Sequence, residues 1–101
     1  MYGPKPKGYW RNASNSGPYR FLSPGERYTV LRSFVDVDGA EHAIGETWTF
    51  CGWNYSAYHN GLSLFVSLDG EQEWHCRLLD LPEGQSYVLE HLAEYIALAR
   101  E

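Results

Sequence analysis

Leu62-Ser63-Leu64-Phe65-Val66-Ser67-Leu68 sets the pattern for much of the chain: apolar residues return at every second position, as on a strand with one buried face. Runs of this kind succeed one another from Arg27. The first, Arg27 to Val35, is rich in β-branched and aromatic residues, and after Asp36-Val37-Asp38-Gly39 a short return passes through His42-Ala43-Ile44. Gly45-Glu46 leads into Thr47 to Tyr55, Asn60-Gly61 turns the chain into Leu62 to Leu68, and Asp69-Gly70 turns it again into Glu73 to Leu79. In such turns Asp holds local backbone amides and Gly takes positive φ. Short runs separated by turn signals predict a mainly β domain, a barrel or sandwich.

The period changes towards the C-terminus. Val88, Leu89, Leu92, Tyr95, Ile96 and Ala99 follow a 3.6-residue repeat, with Glu90, Glu94 and Ala97 opposite, which predicts one amphipathic helix at about 82–100. Asp80-Leu81-Pro82-Glu83 supplies its start, as an Asp-x-x-Glu cap or with Pro82 in the first turn, and Gly84 delays the regular part to near Ser86. Residues 1–25 have no period. Four of the five prolines (Pro4, Pro6, Pro18, Pro24) and the polar stretch Asn12 to Gly17 predict an arm, mobile over its first ten or so residues. Tyr9-Trp10 and Tyr19 to Leu22 are its parts with material to dock. The β domain is then 26–101.

Alternation also sets the faces. Leu62, Leu64, Val66 and Leu68 share one side of their strand, and Trp74, Cys76 and Leu78 one side of the next. A one-residue slip would set Glu73 and His75 among the leucines, so Val66 pairs with Trp74 and Leu64 with Cys76 across an odd loop, Asp69-Gly70-Glu71. The same parity sends Trp48 and Phe50 inwards. It sends Cys51, Trp53, Tyr55, Phe65 and His75 to the other face, so Cys51 and Cys76 point apart and a disulfide is not expected. That outer face, with Tyr58 and His59 in the neighbouring loop, is either an exposed aromatic binding patch or the seat of the C-terminal helix. The Tyr9-Trp10 arm is a third element able to cover part of it.

Charge separates along the chain. Lys5, Lys7, Arg11, Arg20, Arg27 and Arg32 stand against one acid, Glu26, in the first third, whereas Arg77 and Arg100 face twelve acids afterwards. A nucleic-acid-binding barrel presents a basic face to phosphates; this one is acidic, with a net charge of −5. A basic protein partner suits it better, or the basic N-terminal segment folding back onto its own core. The aromatic share of 16 %, mostly Tyr and Trp, supplies candidate anchors for such a partner. No run approaches the ~20 apolar residues that span a membrane, and Met1-Tyr2-Gly3-Pro4-Lys5 lacks the apolar stretch of a secretory signal, so the expected location is the cytoplasm.

Catalytic and metal motifs are sparse. His42, His59, His75 and His91 show no metal-ligand spacing, and neither Cys-x-x-Cys nor His-Glu-x-x-His occurs. Asp36-x-Asp38-Gly39 is similar to the start of a calcium loop, but Phe34 sits where the first ligand belongs and Gly45 where the bidentate glutamate belongs. Asp36, Asp38, Glu41, His42 and Glu46 form a dense polar cluster with paired carboxylates, which as a solvated loop carries no catalysis. His75 and Cys76 are adjacent on a strand and point to opposite faces, so they are no nucleophilic pair. No enzyme, metal or cofactor is expected.

Gly25-Glu26-x-Tyr28, Phe34-x-Asp36-x-Asp38-Gly39, His42-x-Ile44-Gly45-Glu46-x-Trp48-x-Phe50 and Gly61-Leu62-x-Leu64-Phe65 together resemble a small bacterial family of unknown function, over roughly Gly25 to Tyr95. The order of strand, long acidic loop, Gly-Glu and meander is also similar to SH3-like barrels, with Asp36 to Gly45 as the long first loop. The tyrosine pair of proline-peptide-binding SH3 domains is missing, so the resemblance implies a fold and no peptide binding. The expected architecture is a small SH3-like barrel, or a strongly bent antiparallel meander of four to five strands, with one C-terminal helix.

The expected function is a non-enzymatic protein-binding module, of the immunity or antitoxin kind. Its anchors would be Trp53, Tyr55, Tyr58 and Phe65, with Asp36, Asp38 and Glu41 steering a basic partner. One alternative is a small-ligand or nucleic-acid-binding barrel in which Lys5, Lys7, Arg11 and Arg20 supply charge while Tyr9, Trp10 and Tyr19 stack on bases. Another is a structural homodimer.

Overall fold

The structure is a computed structural model, which describes residues 1–15 and 17–99. Among the described residues eight strands form in chain order: β1 (Tyr2–Pro6), β2 (Arg27–Val30), β3 (Phe34–Val35), β4 (Glu41–His42), β5 (Thr47–Ser56), β6 (Gly61–Ser67), β7 (Gln72–Leu79) and β8 (Ile96–Leu98). Two short helices, α1 (Ser86–Glu90) and α2 (Leu92–Tyr95), precede β8. Six strands make one antiparallel sheet in the order β1-β7-β6-β5-β2-β8, and β3 pairs only with β4 in a separate hairpin. The fold is mainly β with a small C-terminal helical segment, as expected, but the sheet stays open, with β1 and β8 as its edges, and does not close into a barrel.

The β6–β7 register is the one that alternation requires: Val66 faces Trp74 and Leu64 faces Cys76. Asp69 fixes the turn by accepting the amides of Glu71 and Gln72, both at 2.8 Å, and Gly70 takes φ +81. Tyr28, Trp48, Phe50, Leu62, Leu64, Val66, Cys76 and Leu78 form the inner face. Against them pack Val88, Leu89, Leu92, Tyr95 and Ile96, so the C-terminal segment covers the leucine face and not the outer one.

The single long helix is replaced by two turns and a strand. Helical geometry breaks at His91 (φ −118, ψ 35) and ends at Ile96 (φ −139, ψ 135). From there the chain pairs with β2, Val30 facing Ile96 and Tyr28 facing Leu98. Without β8, β2 would present a row of unpaired amides and carbonyls, and this pairing overrides the local helical period. Val88, Leu89, Leu92, Tyr95 and Ile96 of the periodic set are still the buried ones, so the burial pattern keeps a helical spacing up to Ile96, while Ala99 is only partly buried. The described residues of the segment expected as an arm, 1–25, also join the body: β1 pairs with the outer edge of β7, with Tyr2 facing His75 and Lys5 facing Glu73. Pro4 and Pro6 are tolerated there because an edge strand leaves some amides without a ladder partner. Among the described residues no helix is long and apolar enough to cross a membrane.

Candidate functional site

The outer aromatic face is covered from the N-terminal side. After β1 the chain makes one 3₁₀ turn over Arg11–Ala13, and Trp10 lies flat on Phe65, ring centroids 5.4 Å apart. His75 closes the cluster at 5.0 Å from Phe65 and 5.6 Å from Trp10. Its Nε2 lies 2.7 Å from Ser63 Oγ, and burial lowers its pKa. Phe65 is only 3 % exposed. It is part of the packing and cannot be a recognition anchor.

Trp53 is displaced from its expected face by an irregularity. The β5–β6 register shifts between Phe50 and Gly52, so Phe50 faces Val66 but Trp53 faces Leu64. A bulge inserts one unpaired residue, here Cys51, and inverts the parity of everything beyond it. Trp53 therefore joins the leucine side, half-buried against the core. Its Nε1 donates to the Gly17 carbonyl at 3.1 Å, and its ring centroid lies 5.2 Å from that of Tyr19. The Asn15 amide bonds the Trp53 carbonyl at 2.8 Å, extending the sheet locally where β2 has ended. Cys51 and Cys76 are both free thiols.

Of the expected anchors, Tyr55 and Tyr58 are exposed. They sit at the tip of the β5–β6 hairpin, where Asn60 adopts φ 51 to close the loop. Tyr58 is 90 % exposed, its ring set edge-on to His59 at 4.9 Å. Tyr55 is 38 % exposed and its hydroxyl donates to Asp80 at 3.1 Å. The Asp80 amide in turn bonds the Asn60 carbonyl at 2.7 Å, tying the tip to the chain after β7. A groove of about 270 Å³ adjoins the tip, lined by His59, Ser56, Leu62, Leu79, Arg77 and Val37.

The acidic loop divides between surface and interior. Glu41 is exposed, and Asp38 is partly exposed and paired with Arg77 at the rim of the groove. Asp36 is 2 % exposed and does not steer anything. Its Oδ1 accepts the amides of Asp38 (2.9 Å) and Ala40 (3.1 Å), which turns Oδ2 inwards. There Oδ2 meets His42 Nε2 at 2.8 Å and the Met1 amino group at 3.0 Å. His42 Nδ1 lies 2.6 Å from Glu46 Oε2, and Cys76 Sγ lies 3.6 Å from His42 Nε2. Phe34 stacks on the imidazole at 4.8 Å. The loop expected to be solvated thus turns three of its five polar residues into the protein, because β3 and β4 dock on β7.

Electrostatics follow from that geometry. Burial alone would lower the His42 pKa, but the Cys76 sulfur and the Glu46 and Asp36 carboxylates outweigh it and push it up to about 11. Burial works to raise the Asp36 pKa, and bonds from His42, the Met1 amino group and Ala40 bring it below the usual value. Burial raises the Cys76 pKa, so its sulfur keeps its proton. Cys76, His42 and Glu46 lie in the order of a nucleophile, base and orienting carboxylate. Cys76 is 3 % and His42 2 % exposed, so the set is closed to substrate-sized molecules.

No family model matches the chain, and no curated protein matches it. A solved structure does: an integron cassette protein from the mobile metagenome of Vibrio cholerae, 34 % identical, covering 88 % of this chain and 97 % of that one with a TM-score of 0.81. The chain belongs to the same family as that integron cassette protein. The expected likeness to a small bacterial protein holds at this level. The likeness extends to the fold; the description of the cassette protein names its origin and no ligand.

Within this integron cassette protein family member, Cys76 is the residue that sequence reasoning left out of the acidic cluster. Its inward parity was readable, and so was the clustering of Asp36, His42 and Glu46. That the hairpin would lay His42 against the middle of β7 depends on tertiary docking, for which the local pattern holds no signal. Asp80, the partner of the Tyr55 hydroxyl, was read only as a helix cap.

Proposed function

We propose that this member of the integron cassette protein family is a non-enzymatic protein-binding module, of the immunity or antitoxin kind, contacting its partner through the β5–β6 hairpin tip. The observation that carries this reading is Tyr58, a large aromatic side chain 90 % exposed on a fastened tip, with Tyr55 and an adjoining groove. Aromatic residues at the centre of a contact, inside a charged rim, are the usual source of binding energy. Asp38, Arg77 and Asp80 form such a rim here, and the net charge of −5 favours a basic partner. The closed state of Cys76 and His42 supports the non-enzymatic part.

The nucleic-acid alternative is less supported, because Trp10 and Tyr19 are engaged with Phe65 and Trp53. A homodimer is the second reading, favoured by the free outer edge of β8; light scattering separates it from a monomer that binds another protein. Affinity capture from the native host with the full chain and with Tyr55→Ser/Tyr58→Ser tests the first. One stoichiometric partner, released by salt and missing with the variant, is expected. Equal recovery with the variant overturns it, and so does recovery of no partner.

A further inference from the structure

The geometry points to a structural zinc site formed by Asp36 Oδ2, His42 Nε2 and Cys76 Sγ, with Glu46 orienting the histidine. These three ligand atoms come from the β3–β4 loop, β4 and β7, and all lie within 4.8 Å of one another. The Sγ to Nε2 separation of 3.6 Å is what two ligands on one tetrahedral zinc show, given bonds of about 2.3 and 2.0 Å. Nε2 and Oδ2, at 2.8 Å, need to part by only a few tenths of an ångström to admit the ion.

The surroundings are built as metal sites are. Asp36 Oδ1 is held by two backbone amides, which leaves Oδ2 as the inward donor. Glu46, at 2.6 Å, fixes a proton on His42 Nδ1 and leaves Nε2 to bind the metal, the carboxylate–histidine–metal relay that orients zinc ligands. Phe34 stacks on the imidazole and holds its plane. Thiolate and imidazole donors select zinc over magnesium or calcium. Three protein ligands with one position left open is the count of a catalytic zinc, but the near-complete burial of the set closes it to substrates, so the ion's role here is structural.

Loading the site balances as proton exchange. In the metal-free protein Asp36 and Glu46 are carboxylates, His42 is an imidazolium and Cys76 a thiol. As the Zn–N and Zn–S bonds form, the Nε2 proton and the thiol proton leave to solvent while the Nδ1 proton stays with Glu46. The ion takes over the charge that the Met1 amino group now places on Oδ2. It joins the β3–β4 hairpin, which is outside the main sheet, to β7, the strand next to the sheet's β1 edge.

The test uses the purified full chain, stripped with chelator and reloaded with zinc alone or cobalt(II) alone. Expected are one zinc per chain after gel filtration, a higher melting temperature with zinc, and a cobalt spectrum with thiolate charge transfer. Cys76→Ala should abolish the charge-transfer band and the zinc-dependent rise in melting temperature. If Cys76→Ala does not fold, Glu46→Gln serves instead, weakening zinc by roughly 10- to 100-fold while keeping the thiolate band. No retained zinc in the unaltered chain overturns the assignment. Zinc retained equally by Cys76→Ala, or unweakened binding in a Glu46→Gln used in its place, does so too.

Discussion

Trp10 lies stacked on Phe65, ring centroids 5.4 Å apart and planes inclined by 20°. The contact joins a residue of the N-terminal segment to the middle of β6, and it explains why the outer face of the sheet is not a bare aromatic patch. Tyr2, Tyr9 and His75 meet the same indole. Removing the ring uncovers Phe65 and unseats the turn after β1. Trp10→Ala should cost about 2 kcal/mol, below the 3–5 or so for a fully buried tryptophan because Trp10 is only partly buried. A urea titration measures it; an unchanged midpoint would mean that the N-terminal segment does not hold the face.

Gly52 tests the same cover from beneath. A Cβ added there would lie 1.8 Å from Ser14 Oγ and 3.3 Å from the Asn15 carbonyl oxygen. Gly52→Ala must therefore turn the Ser14 hydroxyl aside and ease Ser14 and Asn15 away from β5 by a few tenths of an ångström, weakening the Asn15–Trp53 pairing. The expected loss is about 1–3 kcal/mol, together with faster proteolytic cleavage near Arg11 and Arg20 than in the unaltered protein. Cleavage at the original rate would show that the segment adjusts without leaving.

These two residues also mark how far the sequence could be read. Alternation in Leu62–Leu68 and Trp74–Leu78 leaves one acceptable register, so the central pairs and the inward Cys76 were legible. Trp53 was not. Its face depends on the bulge at Cys51, and nothing in Phe50-Cys51-Gly52 marks an insertion except a glycine within a strand. The same limit applies at Ile96, where burial at helical spacing continued into a strand because β2 needed a partner. Asp36 was readable as a turn former; its inward second oxygen required knowing where the hairpin docks.

The Asp36–His42 bond calls for a double-mutant cycle in metal-free protein. His42→Gln leaves a buried carboxylate short of its cationic neighbour and should cost about 3 kcal/mol, the lower range for breaking a buried ion pair. Adding Asp36→Asn removes that charge and should recover part of the loss, so the double change costs less than the sum of the single ones. Simple additivity in thermal or urea unfolding would refute the coupling.

Asp69 should make the β6–β7 turn acid-sensitive. Amide bonds from Gln72 and Glu71 hold its pKa below the usual 3.8. A carboxylate with a lowered folded-state pKa contributes stability that is present in full above 3.8 and is lost as pH falls through the folded value. Asp69→Asn keeps an acceptor oxygen but has no charge to lose. The variant should be less stable than the unaltered chain at neutral pH, and the gap should close in acid. A gap independent of pH would remove the charge from the explanation.

Tyr58 separates binding from folding. At 90 % exposure its only ring neighbour among the described residues is His59. Tyr58→Ser should therefore shift stability by no more than about 0.5 kcal/mol. If the hairpin tip is the contact region, the same change should weaken the captured partner by about 2 kcal/mol, roughly 30-fold in Kd. Tyr55→Phe should act differently, since it removes only the hydroxyl that bonds Asp80. It should loosen the tip, visible as faster amide exchange at Asp80, with a smaller loss of binding. A stability loss for Tyr58→Ser as large as its binding loss would make Tyr58 a structural residue and take the contact region away from the tip.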